Sequence, residues 1–321
     1  MNLEQPRLRL FRMKHKFKAS PANDRPISLH RDLPLQISVQ PPMLGWRAVI
    51  LFLCANLSLV PFPTSVSCGP YASTWALGPK SSLRLIAAGG PPQGFYRAGI
   101  EIRLDPGALT YWRTPGAAGI PPVFSFEGSV NAADITVSYP APTRIEEDGI
   151  DAFGYRDRVT FPLHITPKDA ARPVFLAVHL SYAVCARICL PSKADATLTL
   201  DPREATANGP EAVTIAAAEA EVPIRLTPQQ RDAKVTIDRD KAAIPPTWRL
   251  SQNGGAQDLF VEAPPGWYFE TRKSSRPDEF LIVAVETPTG DRDAHVPVTL
   301  TVKNERQSYE FAIDLDVASL R

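Results

Sequence analysis

No stretch of the chain carries a G-x-S-x-G, G-x-G-x-x-G, Walker or H-E-x-x-H pattern. The commonest hydrolase, dinucleotide, phosphate-loop and zincin chemistries therefore have no anchor here. Methionine is almost missing: Met1, Met13 and Met43 are the only three, which argues against a Met-rich copper protein. No apolar run approaches the ~20 residues that span a bilayer as a helix; the longest is 48–60. An excess of one charge is lacking too, with 35 Lys+Arg against 34 Asp+Glu and a net charge of +1. Residues 1–67 hold nine basic and three acidic residues, which leaves 26 basic and 31 acidic in the rest. A mildly acidic body without a basic stripe makes a poor nucleic-acid binder.

What is present is a soluble globular composition, 44% hydrophobic and 21% charged, in 321 residues. The 33 prolines suit short strands and turns better than long helices. The order Arg47, apolar 48–60, Pro61 and Pro63, then Ser65-Val66-Ser67 matches a secretory signal with a small-residue cleavage site. Residues 1–67 are read as an N-terminal extension plus export signal, and the chain is expected in the periplasm. Met43 stands where such a signal would begin, and 1–42 are given no function. An uncleaved membrane anchor, a buried core segment and lipidation at Cys68 are the alternatives, although the usual Leu three places before Cys68 is lacking.

Between Ser81 and Leu200 the pattern alternates with period two, broken by Gly and Pro. Strands are predicted at 97–104, 109–113, 134–139, 158–165 and 174–184. In the last, Val174, Leu176, Val178, Leu180, Tyr182 and Val184 form one apolar face, and Cys185 falls on the other. The alanine-rich 211–221 reads as one short helix. Beyond it strands return at 258–262, 267–271, 279–286, 296–303 and 308–316. The fold class is all-β: an immunoglobulin-like β-sandwich over 75–202, a helical linker over 203–222, and a second, smaller β-sandwich over 223–321. Trp112, Trp248 and Trp267 are expected as core anchors.

Outside the candidate export segment and its edge, with Cys54 and Cys68, the cysteines are Cys185 and Cys189 alone. An exported pair so close together meets an oxidising compartment as a pair. In an extended strand residues i and i+4 lie about 13 Å apart, beyond the ~7 Å that a disulfide tolerates between Cα atoms. A bond therefore requires a sharp turn across Ala186–Ile188, with Pro191 just after it at an exposed strand end. Closing so short a loop contributes only ~2 kcal/mol, so the bridge staples little. Arg187 between the thiols favours thiolate by ~0.7 kcal/mol at about 6 Å in water-like dielectric, and by ~2.8 at an effective dielectric of 20. Three readings stay open: an inert local disulfide, a redox-active pair, and a metal site. The last would have to recruit His164, His179 or His295, because zinc takes four ligands. No cofactor and no resident metal are expected. Glu146-Glu147-Asp148 reads as a solvated turn, and His179 as a surface histidine rather than a base for the thiol.

Several segments together resemble a known family: Gly99-Ile-Glu-Ile-Arg-Leu-Asp-Pro-Gly107, Thr110-Tyr-Trp-Arg-Thr-Pro-Gly116, Gly119-Ile-Pro-Pro122, Gly154-Tyr-Arg-Asp-Arg-Val-Thr-Phe-Pro162 and Tyr182-Ala-Val-Cys-Ala-Arg-Ile-Cys-Leu-Pro191. They are similar to the N-terminal periplasmic domain of the thiol:disulfide interchange protein DsbD, in the variant of ScsB-like, copper-tolerance-associated reductases. The resemblance is good over roughly 90–200 and looser over 223–321. It implies an immunoglobulin-like domain whose cysteine pair takes electrons from a membrane donor of DsbD or CcdA type and passes them to periplasmic thioredoxin-fold acceptors. It also implies Cys189 as nucleophile and Cys185 as resolving thiol, with Arg187, Tyr182, Pro191, Tyr155 and Phe153 in support. The best-known family members space the pair more widely than C-x3-C and shield it with an aromatic cap loop. Here the matching positions are Asp148 and Gly149, so shielding falls to Ile150, Phe153 or Tyr155. The 321 residues contain neither a multi-helix membrane domain nor a thioredoxin domain, so separate partners are expected. A non-catalytic envelope scaffold and a Cu(I)-handling protein are the competing functions.

Overall fold

The computed structural model describes residues 71–90, 94–117, 119–147, 149–204, 208–288 and 294–317. The expected export signal within 1–67, the lipidation site Cys68 and the cap-loop position Asp148 lie outside the described residues.

The first sandwich has two antiparallel sheets. Its strands are β1 (Ala76–Gly78), β2 (Ser81–Ala87), β3 (Tyr96–Leu104), β4 (Leu109–Gly116), β5 (Val123–Ser125), β6 (Ala132–Val137), β7 (Thr143–Glu147), β8 (Ile150–Arg156), β9 (Arg158–Pro167), β10 (Val174–Cys185) and β11 (Cys189–Leu200). One sheet runs β1-β2-β3-β9-β6, and the other β11-β10-β4-β8-β7 with β5 added beside β10. Period-two alternation does the sorting. Val159, Phe161, Leu163 and Ile165 of β9 face Val174, Leu176, Val178, Leu180, Tyr182 and Val184 of β10 across one shared core.

Helix α1 (Pro210–Glu221) starts with proline in its first turn, where the missing N–H costs nothing. It is docked rather than free. Ile215 packs with Ala72, Ile86 and Ala88, and Glu219 pairs with Arg97 on β3. A Cβ at Gly99 would stand 2.9 Å from Thr160 and 3.5 Å from Ile215, so only glycine lets the helix lie this close to the sheet. The helix also explains why Thr160 and Pro162, on the outer face of β9, are buried.

The second sandwich comprises β12 (Ile224–Arg225), α2 (Pro228–Lys234), β13 (Val235–Asp240), β14 (Thr247–Gln252), β15 (Ala256–Glu262), β16 (Tyr268–Lys273), β17 (Glu279–Glu286), β18 (His295–Asn304) and β19 (Tyr309–Asp316). Its sheets run β12-β19-β18-β15 and β13-β14-β17-β16. The described residues are thus all-β in two sandwiches, apart from two short helices. Trp248 is buried in the second core, and half-buried Trp267 stacks on Phe269.

Among the described residues, one crosses between the two cores. Phe260 of β15 is fully buried among first-sandwich residues, 5.0 Å from the Phe153 ring and 5.8 Å from Trp112. Ion pairs frame it. Arg113 on β4 reaches Glu262 and Glu310, and Arg144 on β7 reaches Asp258 and Asp151. Burial opposes the charge on both guanidiniums, but the carboxylates outweigh it and raise both pKa values above the ordinary arginine value.

Candidate functional site

Cys185 is the last residue of β10 and Cys189 the first of β11, paired directly opposite each other. Ala186, Arg187 and Ile188 make the turn between them, closed by the Ala186 N–H donating to the Ile188 carbonyl at 3.3 Å. The turn required by the four-residue spacing is therefore present, and the sulfurs are bonded at 2.02 Å with Cα atoms 4.0 Å apart. Among the described residues this is the only disulfide.

The two sulfurs sit in unlike surroundings. Strand parity places Cys185 on the face of β10 turned away from the main core. There it is fully buried in a small apolar cluster with Leu109, Tyr111, Ile145, Ala152 and Ala183. Cys189 is exposed on edge strand β11, beside Ile188, which is 73% exposed. One sulfur can meet a partner and the other is held inside.

Tyr111 on β4 is a member of this site that sequence reasoning passed over. Its hydroxyl donates to Cys185 Sγ at 2.9 Å and lies 3.5 Å from Cys189 Sγ. The loop after β4 holds the ring: a Cβ on Gly119 would fall 2.6 Å from ring carbon Cε1. A second close approach sets the strand itself. Gly154 lies opposite Tyr111, and a Cβ there would stand 2.1 Å from the Thr110 carbonyl oxygen. Thr110 in turn donates its hydroxyl to the Ala183 carbonyl at 2.9 Å, tying β4 to β10 just before Cys185.

The other expected supporting residues are spread more widely. Arg187 is exposed in the turn, and Pro191 is exposed on β11 opposite Ala183. Tyr182, Phe153 and Tyr155 all point into the main core, on the opposite side of the sheet from Cys185. Tyr182 shares a 2.8 Å hydrogen bond with Ser81, and burial raises its pKa. Tyr155 donates to the Pro140 carbonyl at 2.8 Å, and burial pushes its phenol well above the ordinary value. Ile150 is 46% exposed at the start of β8. His164 packs against Phe95, His295 lies on β18, and His179 bonds Asp195 and the Glu127 carbonyl. Among the described residues no group of three or more His, Cys, Asp or Glu side chains is placed to hold a metal ion.

Residues 85–201 match the family model for the N-terminal region of the thiol:disulfide interchange protein DsbD. This segment contains both cysteines, Tyr111 and every strand of the hairpin sheet. Residues 85–201 form a DsbD N-terminal-like domain. The crystal structure of the N-terminal periplasmic domain of ScsB from Proteus mirabilis shares the fold with a TM-score of 0.60. The two are 20% identical over 77% of this chain and 99% of that one, so the likeness extends beyond the DsbD-like segment. A chimeric titin Z1Z2 carrying an exogenous decorin peptide aligns over 78% of this chain and 98% of its own, at 10% identity and a TM-score of 0.19. No curated protein matches the chain. Among the described residues no helix is long and apolar enough to cross a membrane.

Proposed function

We propose that this chain is an exported thiol:disulfide interchange module that works through Cys185 and Cys189. The observation that carries the reading is the unequal exposure of the two sulfurs within a DsbD N-terminal-like domain. In the reduced state the accessible Cys189 thiolate attacks a sulfur of the partner's disulfide. A Cys189–partner bond forms, and the partner's other sulfur leaves as thiolate. The Cys185 thiolate then attacks Cys189 Sγ, releasing the partner's second thiolate and restoring the Cys185–Cys189 bond. The partner gains two electrons and this pair loses two. A dithiol donor in the membrane, of DsbD or CcdA type, restores the dithiol, and the acceptors are periplasmic proteins of thioredoxin fold.

The Tyr111 hydroxyl fits the second displacement. Donating to Cys185 Sγ, it stabilises negative charge on a sulfur that no water reaches and lowers the cost of its thiolate. Arg187 acts from the turn on Cys189 by charge alone.

Trapping tests the assignment. Cys185→Ser is expected to hold a partner as a mixed disulfide, and Cys189→Ser to hold none. The reverse pattern overturns the roles. A reduction potential below about −300 mV, with no exchange against thioredoxin-fold proteins, would instead mark a structural bridge in a scaffold.

A further inference from the structure

The charges beside the hairpin are unevenly matched. In the first sandwich Arg84, Arg97, Arg103, Arg113 and Arg144 each meet a carboxylate. Arg156, which ends β8, and Arg158, which begins β9, do not: both are exposed and, among the described residues, neither forms an ion pair. Asp157 between them is held by its backbone, with φ at 61° and its carbonyl accepting from the Leu104 N–H at 2.8 Å, and pairs with neither.

From the second sandwich Lys303 and Arg306 turn toward the same space. The four cations line a cleft of about 610 Å³ whose carboxylates, among the described residues, are Glu221 and Glu305. Lys303 donates to the Pro142 carbonyl at 2.8 Å and to the Thr143 hydroxyl at 2.9 Å rather than to an acid. Lys303 is held by those two bonds, whereas Arg156, Arg158 and Arg306, with few counter-charges beside them, repel one another and add little to the fold. In a cleft, their field is focused outward.

Register places this cleft beside the disulfide. Cys189 pairs with Cys185, Cys185 with Leu109, and Leu109 with Arg156, so the four stand in one cross-strand row. At about 4.8 Å per strand, the Arg156 backbone is roughly 10 Å from that of Cys185, and residues in one row leave the same face of the sheet. Exposed Arg187, also without an ion pair among the described residues, marks the other end of the row.

We propose that this cleft is a docking surface for an acidic face of the protein that exchanges disulfides with Cys185–Cys189. The proposal rests on the interchange reading above and adds to it the sign of the partner's charge. Complementary charge acts mainly on encounter, raising association rates by 10-fold or more at low salt and fading as salt screens it.

The test uses the reduced full chain and three disulfide substrates: a cystine peptide flanked by glutamates, the same peptide flanked by lysines, and uncharged bis(2-hydroxyethyl) disulfide. At low ionic strength the acidic peptide is expected to react about tenfold faster than the basic one, a preference lost in high salt. Arg156→Glu with Arg158→Glu should reverse the preference, and Arg306→Glu, on the other sandwich, should weaken it. Arg172→Glu, in the β9–β10 turn, should change nothing, and all variants should reduce the uncharged substrate at the parent rate. Equal rates for the two peptides, or a preference that survives both the double variant and Arg306→Glu, overturns the docking surface alone. Failure to reduce even the uncharged disulfide overturns the interchange reading, and the docking surface falls with it.

Discussion

Phe260→Ala is the sharpest perturbation of this architecture, because the residue belongs to one sandwich and is buried in the other. A fully buried phenylalanine cut to alanine typically costs about 3–5 kcal/mol. Phe260 also makes a T-shaped contact with Phe153 at 5.0 Å and a tilted one with Trp112 at 5.8 Å, each worth ~0.5–1.5 kcal/mol beyond area. The flanking ion pairs cannot refill the space, since their side chains are tied to carboxylates at the rim. The expected loss is therefore about 4 kcal/mol. With a urea dependence of about 3 kcal/mol per molar for a chain of this size, the unfolding midpoint falls by more than ~1 M. The shared residue should also couple the halves, so the parent unfolds in one transition by far-UV circular dichroism and tryptophan fluorescence. The variant should separate into two, with the first sandwich, reported by Trp112, going first. Phe269→Ala, confined to the second core, supplies the contrast: a similar loss, with the two sandwiches still unfolding in one transition because Phe260 is kept. A loss below about 1 kcal/mol, or a parent that already unfolds in two independent steps, would refute the shared-core reasoning.

Two further outcomes follow. Tyr111→Phe keeps the ring against Gly119 but removes the hydroxyl from Cys185 Sγ; a hydrogen bond to a charged group is worth ~1.5–3 kcal/mol. Resolution of the mixed disulfide should slow at least tenfold while its formation by Cys189 stays within twofold, read by quenched-flow trapping; equal slowing of both steps would deny Tyr111 the proposed role. The His179 pKa is raised, chiefly by its hydrogen bond to Asp195. The contact therefore favours the fold most while the unfolded histidine is also charged, below about pH 6.5, and its benefit fades as pH rises through the folded value. Nuclear magnetic resonance titration should place His179 above 6.5, and Asp195→Asn should bring it down; an unchanged midpoint would mean that the pair does not form in solution.

The strands that alternate cleanly were legible in the sequence. The predicted 97–104, 158–165 and 174–184 differ by a residue or two from β3, β9 and β10, and 279–286 coincides with β17. The parity of β10 also placed Cys185 on the side away from Val174, Leu176 and Val178, and its cluster lies there. Strands β7 and β13 were hidden by their charges. Glu146 and Glu147 read as a solvated turn yet end β7, and Asp238 and Asp240 leave β13 without a clean alternation; ion pairs such as Arg144–Asp258 give such strands a reason to carry charge. Tyr111 was hidden for a different reason. It stands 74 residues before Cys185, and only the Leu109–Cys185 register brings it to the sulfur. The resemblance set Tyr182, three residues from Cys185, in a supporting role, and strand alternation turns that side chain to the core.

Consecutive residues of β4 explain why a sandwich without cysteine is packed against the one that holds the disulfide. Tyr111 touches the sulfurs, Trp112 packs on Phe260, and Arg113 grips Glu262 and Glu310. A strand fixed on three successive side chains cannot shift along its axis without breaking contacts in both sandwiches. The Tyr111 hydroxyl therefore keeps its place when the hairpin sulfurs separate, because its position is set from the far side of the sheet rather than by the disulfide. Reduction would then leave Cys185 beside a donor already in position, which a short hairpin at the edge of a single sheet could not secure for itself.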